Sequence, residues 1–272
     1  MAVRHSAAGR TAVVSGAAGG LGLALARCYA AEGARVALLD RDVVALDRAV
    51  TALRAAGHDA RGWICDVADP GDCSRTIDAV RQAFDRIDVL VANAGISHRS
   101  AFAHTDASVI RRVMAVNFFG AVQLTQAALP ELLARRGQVV VVSSVAGFAP
   151  LVARTGYAAS KHALHGFFDS LRAELAPQGL GVLLVCPAFI ATGIDAHALG
   201  GDGLPVRHAQ AVVGRRSDAD EVAARIVRAA AQGRSLLLPD AVSRAAWWLS
   251  RLAPGLYTRL MVRRVWAEMR RG

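Results

Sequence analysis

The 272-residue sequence predicts an α/β fold, one doubly wound parallel sheet of about seven strands with helices on both faces. Three observations predict it. Short apolar runs alternate with longer segments of 3.6-residue periodicity, the runs are apolar throughout, and no repeat, low-complexity tract or long linker divides the chain. A strand that is apolar on both sides is buried on both faces, the condition of a parallel sheet covered by helices.

In chain order the strands are TAVVSG (11–16), ARVALLD (34–40), ARGWICD (60–66), DVLVANAG (88–95), QVVVVSS (138–144) and GVLLVCPA (181–188), with RSLLLPD (234–240) as a seventh. LGLALARCYAAEG (21–33) and DVVALDRAVTALRAAG (42–57) are the clearest helices between them. One domain over 1–242 follows. Beyond it, AAWWLSRL (245–252), Pro254 and LYTRLMVRRVWAEMRR (256–271) read as two amphipathic helices, an extension over 243–272. Tyr257, Met261, Val265 and Met269 form one stripe flanked by arginines. Such helices pack over a substrate mouth or a partner subunit, or lie on a membrane surface with Trp and Arg at the interface.

Composition narrows the function classes. With 54% apolar and 20% charged residues, the chain has the balance of a soluble globular protein. Cys28, Cys65, Cys73 and Cys186 show no metal-ligand spacing and read as reduced thiols of a cytoplasmic protein. His98, His162, His165, His197 and His208 lack acidic or thiol partners at metal-binding spacing. The N-terminus has no apolar signal core, and no run approaches the ~20 apolar residues of a membrane span. The net charge of +10 comes from scattered arginines interleaved with acids such as Asp40, Asp42 and Asp47, so no nucleic-acid stripe is expected.

The first strand runs directly into SGAAGGLG (15–22) and a helix. Gly16, Gly20 and Gly22 permit a tight turn and a close approach of backbone N–H groups to a pyrophosphate at the helix start. Tight packing of strand on helix would need the same glycines. Asp40, at the end of the second strand, is placed to accept hydrogen bonds from an adenosine ribose, which favours NAD. Arg41 follows at once and keeps NADP open.

With the motifs that follow, the chain resembles the short-chain dehydrogenase/reductase family, single-domain branch, over residues 10 to about 240. SGAAGGLG is similar to that family's TGxxxGxG, Asp66 to its adenine-contacting acid, and ANAG (92–95) to NNAG. Asn117 stands where the family has a helix-kink asparagine. Ser144, Tyr157 and Lys161 match its serine and YxxxK, and Pro187 and Thr192 its PGxxxT. The resemblance implies a Rossmann-type fold and catalysis by Asn117, Ser144, Tyr157 and Lys161. It implies cofactor binding by Gly16, Gly20, Leu21, Gly22, Asp40, Arg41, Asp66, Val67, Asn93, Ala94, Gly95, Tyr157, Lys161, Pro187, Ile190 and Thr192. Ser15, Ala92 and Ala188 depart from the family's Thr, Asn and Gly.

Lys161 is the one lysine among 32 basic side chains. Four residues after Tyr157, it lies on the same helix face. A phenol with a pKa near ~10 is a poor base at neutral pH. An ammonium about 4 Å away, at an effective dielectric of ~20, favours the phenolate by roughly 4 kcal/mol, or about three pKa units. A slender amine can also reach two ribose hydroxyls while staying beside the ring, which a wide guanidinium fits badly. An ordinary surface helix pair would show the same spacing, and only the accompanying motifs select against it.

The resemblance selects Ser144 to hold the substrate oxygen and leaves Ser143 structural. It gives Asn117 a water in a proton relay. The implied activity is NAD(P)-dependent interconversion of a secondary alcohol and a ketone. The alternative is a dinucleotide-binding sensor or scaffold without catalysis. The glycine-rich stretch 193–214 is the expected substrate lid, and Phe148, Phe189 and Leu199 suggest an apolar site. YAASKHALHGFFDSLRAEL is similar to the branch containing 11β-hydroxysteroid dehydrogenase, which implies a steroid- or lipid-like substrate, with small carbonyls as the other class. Phe118, Phe119, Phe167 and Phe168 exceed what one face of each helix can bury, so a homodimer or homotetramer is expected.

Overall fold

Thr11–Ser15 (β1) is buried at all five positions, because strands flank it on both edges and helices cover both faces. The computed structural model describes residues 7–191, 198–206 and 216–269, with side chains as far as Arg263. Its other strands are Arg35–Asp40 (β2), Ala60–Ile64 (β3), Val89–Ala92 (β4), Gln138–Val142 (β5), Gly181–Val185 (β6) and Leu236–Leu237 (β7). All pair in parallel in the order β3-β2-β1-β4-β5-β6-β7. Each strand expected from the sequence is present, within shorter bounds.

Alternate side chains feed two cores. Val14 and Leu38 join a layer formed with Gly20–Ala31 (α1), Val43–Ala55 (α2) and Ala219–Ala231 (α7). Val13 and Leu39 join the opposite layer, with Pro70–Phe84 (α3), Gly120–Ala134 (α5) and Thr155–Leu175 (α6). The expectation of burial on both faces fails at β3, where Arg61, Gly62 and Ile64 are exposed. This strand is the sheet edge, paired only with β2.

Ala107–Met114 (α4) passes into α5 through a π-helical turn at Ala115–Phe119. The continuous run Ala107–Ala134 is long and apolar enough to cross a membrane. Here it is a core helix, with Val113, Leu124, Ala128 and Leu132 fully buried. Ala241–Leu252 (α8) and Pro254–Met269 (α9) form the C-terminal extension. Its start falls two residues before the expected 243, because Asp240 caps α8.

Strand order reverses between β1 and β4, where the chain crosses from one half of the sheet to the other. Helices diverge there and leave a crevice beyond the carboxyl ends of the strands, the usual ligand position in such sheets.

Candidate active site

That crevice is a cavity of about 750 Å³. The SGAAGGLG turn closes one end. Gly16 has φ +65° and Gly20 φ +54°, backbone that only glycine adopts freely. A Cβ at Gly22 would fall onto the Gly16 carbonyl oxygen, so this glycine serves the close packing of helix on strand. No side chain caps the first turn of α1, so its N–H groups face the cavity as anion donors. Ser15 keeps the work of a hydroxyl. Its Oγ donates to the Val91 carbonyl at 3.2 Å and accepts the Asn93 and Ala94 N–H groups at 3.0 and 3.1 Å. Asn93 Nδ2 donates back to the Ser15 and Gly16 carbonyls, stitching β4 to β1.

Asp40 lines the cavity with Arg41 beside it. Its Oδ2 accepts the Ala18 N–H and its Oδ1 the Asp42 N–H, both at 3.0 Å. Each oxygen keeps a second lone pair for a ligand hydroxyl. Asp66 accepts the Ala68 N–H at 3.0 Å. It lines the cavity with Leu21, Val67, Ala94, Gly95 and Ile190, so the structure brings these sequence-selected residues together.

At the other end, α6 presents Tyr157 and Lys161 to the cavity. Lys161 is only 4% exposed. Its Nζ donates to the Val142 carbonyl at 2.9 Å and lies 5.7 Å from the Tyr157 ring centroid. Burial pulls its ammonium down to about 8. Ser144 Oγ accepts the Ala146 N–H at 3.2 Å, which leaves its own proton for a ligand oxygen. Ser143 Oγ instead donates to the Lys161 carbonyl at 3.4 Å and meets His165 Nε2 at 3.1 Å. His165 also approaches Cys186 Sγ at 3.4 Å, and burial pushes that thiol up to about 12. The Ser143–His165–Cys186 cluster ties β5, α6 and β6 together behind the reactive groups.

The π turn places Asn117 in the interior, 1% exposed. Its Oδ1 accepts the Ile96 N–H at 2.8 Å, and its Nδ2 donates to the Ile96 carbonyl and to Ser160 Oγ, both at 3.0 Å. Both amide hydrogens are spent, one clamping the loop after β4 and the other tying to Ser160 on α6. Only Oδ1 retains an acceptor site for the expected water.

Pro187 accepts the Val145 N–H at 3.1 Å, and the Ala188 N–H donates to Asp240 Oδ2 at 3.0 Å. Thr192, His197, His208 and most of the 193–214 stretch lie outside the described residues. Phe189 lines the cavity as expected, whereas Phe148 and Leu199 do not. Phe148 packs on Trp247 at 4.8 Å between ring centroids, and Leu199 is buried in bridges with His98 and Pro205. His98 itself is fully buried, and burial lowers its imidazole to about 4, so it stays neutral. No group of His, Cys, Asp and Glu among the described residues could hold a metal ion.

Three groups that shape the site, Asp240, Leu151 and Arg154, went unread in the sequence. Asp240 reaches Ala188 across 52 positions. Leu151 and Arg154 line the cavity from segments whose approach depends on tertiary packing. The extension walls the cavity through Val242, Ala246 and Leu249 of α8 and Tyr257 and Met261 of α9, in line with the reading that it packs over the mouth.

The family model of the short chain dehydrogenases matches residues 10–200. The chain belongs to the short-chain dehydrogenase/reductase family. It is similar to dehydrogenase/reductase SDR family member 7B of Bos taurus, 38% identical over 94% of this chain and 81% of that protein. It is also similar to the SDR family protein 7-like of Anopheles gambiae, 35% identical over 94% of this chain and 83% of that protein. Among solved structures, a short-chain dehydrogenase/reductase from Burkholderia phymatum in complex with NAD matches with a TM-score of 0.83 at 28% identity, over 93% of this chain and 96% of that one. An alcohol dehydrogenase from Thermococcus sibiricus shares the fold, with a TM-score of 0.72 at 23% identity, over 84% and 95% of the two chains. Membership makes this short-chain dehydrogenase/reductase an oxidoreductase.

Proposed function

We propose that the protein interconverts a secondary alcohol and a ketone with a nicotinamide dinucleotide, on a hydrophobic, steroid- or lipid-like substrate or a small carbonyl compound. The observation that carries this reading is Lys161, an ammonium buried in the cavity wall one helical turn from Tyr157. Burying a cation is costly, and a structural helix pair would leave it in water.

The glycine end fits a dinucleotide. It combines an uncapped helix start, two left-handed glycines and the Asp40 carboxylate on one cavity wall. The NAD complex of the Burkholderia phymatum relative supports the same cofactor class. When bound, the cofactor supplies or accepts the hydride. Tyr157 gives the proton to the ketone oxygen, or takes it from the alcohol. Ser144 donates its free proton to that oxygen and holds it in reach. Lys161, its ammonium 5.7 Å from the Tyr157 ring centroid, favours the phenolate over the phenol. Gly95 leaves room between Asn117 and Lys161, since a Cβ there would stand 3.3 Å from Asn117 Oδ1 and 3.7 Å from Lys161 Nζ.

Asp40 supports a preference for NAD, because a 2′-phosphate would meet a like charge beside its two free lone pairs. Arg41, exposed beside it, is the feature that favours NADP. Exposed Phe119 supports a homodimer or homotetramer.

A panel of alcohols and ketones assayed by nicotinamide absorbance tests the reading, with Tyr157→Phe as its control. Activity should appear with the native chain and fall by at least about three orders of magnitude in the variant. Retained activity in Tyr157→Phe overturns the assigned proton donor. NADH should bind at least tenfold more tightly than NADPH, a difference of about 1.4 kcal/mol. The reverse order would remove the argument from Asp40.

A further inference from the structure

We propose that the α8–α9 hairpin is a docking surface for anionic lipid membranes, setting the mouth of the substrate cavity against the bilayer. The two helices are double-sided. One side walls the cavity. The other carries Trp248, Leu252, Leu256 and Leu260, which are 62, 77, 51 and 42% exposed. At about 100° per residue, Trp248 and Leu252 share a face with Arg244 and Arg251, and Leu256 and Leu260 share one with Arg259 and Arg263. All four arginines are exposed. Leu260 both lines the cavity and reaches solvent, so the patch and the cavity are continuous.

Charge decides between occupants of this face. Residues 241–272 hold seven arginines and one acid, Glu268, which is six of the ten net positive charges of the chain. A two-fold contact between copies would set this patch against itself, arginine opposite arginine. A nucleic acid would take the arginines and leave Trp248 and three leucines in water. An anionic bilayer satisfies both sets, with arginines at the headgroups and Trp and Leu at the acyl boundary. A lipid-soluble alcohol or ketone could then enter the cavity without crossing water; this last step rests on the proposed function, whereas the docking does not.

The test mixes the full-length protein with vesicles of phosphatidylcholine alone, and of phosphatidylcholine with phosphatidylglycerol, and reads the bound fraction by sedimentation. Binding is expected on the anionic vesicles, with a blue shift of tryptophan emission, and it should fall about tenfold or more at high salt. Leu252→Glu with Leu256→Glu, and separately Arg244→Glu with Arg259→Glu, should each lower the partition by about tenfold or more. None of these four residues lines the cavity, so cofactor binding should be unchanged and reports an intact fold. The proposal is overturned by absent binding to the anionic vesicles, or by equal binding of native protein and variants. It is equally overturned if light scattering shows the leucine variant at half the native mass, since a second copy would then cover the patch. Vesicle binding is read without turnover, so its failure leaves the dehydrogenase reading to stand or fall on Tyr157→Phe.

Discussion

Lys161 carries its charge at 4% exposure and donates to the Val142 carbonyl. Burial lowers it from 10.5 to about 8, a cost of about 3 kcal/mol below pH 8. The unfolded chain holds this proton up to its higher pKa, so stability from this group rises with pH between about 8 and 10.5. Lys161→Met should therefore stabilise the fold at pH 7. Relief of about 3 kcal/mol outweighs the roughly 1–2 kcal/mol lost with the Val142 bond, so Tm should rise by a few degrees while activity is lost. The gain should shrink by pH 10. Melting curves at both pH values check this, and a lower Tm at pH 7 would mean that the ammonium stabilises the fold.

At the scale of the element, Asp240 joins two structures. Oδ1 caps α8 by accepting the Ser243 N–H at 2.7 Å, while Oδ2 holds the Ala188 N–H beside the cavity. The fully buried Ser243 completes the capping box by accepting the Asp240 N–H at 3.3 Å, and its hydroxyl also donates to the Asp240 carbonyl at 2.8 Å. Ser243→Ala should cost about 1 kcal/mol of stability and leave cofactor binding unchanged. Asp240→Ala should cost at least as much and also weaken cofactor binding severalfold, because the Ala188 loop loses its tether. Thermal melting and cofactor titration on both variants separate the roles; equal cofactor affinity in both would confine Asp240 to the helix cap. A contact spanning 52 positions leaves no local trace in the sequence. The π turn at Asn117 is similar. The resemblance singled out Asn117, whereas its bonds to Ile96 and Ser160 required the fold.

At the scale of the molecule, aromatic residues run from core to surface across α6 and the π turn before α5. Phe168 is fully buried, Phe167 and Phe118 are half-buried, and Phe119 is 49% exposed. Their rings meet edge to face at 5.0, 5.9 and 5.0 Å along the series. The expected outward member of the 118–119 pair is Phe119, while in the 167–168 pair neither ring is fully exposed. If this rib ends in a subunit interface, Phe119→Glu should reduce the oligomer to monomers in light scattering, because it would place two buried carboxylates across a two-fold axis. An unchanged mass would place the interface elsewhere. This patch and the α8–α9 hairpin are separate surfaces, so either test can fail alone.

The sequence by itself determined the sheet and most of the cofactor cradle. Strand burial, helix periodicity and glycine turns are encoded by neighbours within a few residues, and each reactive group stands at the end of a strand or on one face of a helix. Tyr157 and Lys161 are one turn apart, so their pairing needed no tertiary information. Only the tertiary structure decided that β3 is a half-exposed edge, that Asn117 is spent as a clamp, and that Phe148 and Leu199 do not line the cavity. It alone placed Tyr257 and Met261 in the cavity wall and turned Trp248 and Leu252 outward. Those outcomes depend on which surfaces meet across long stretches of chain, and amphipathic periodicity shows that a helix has two faces without showing what each one meets.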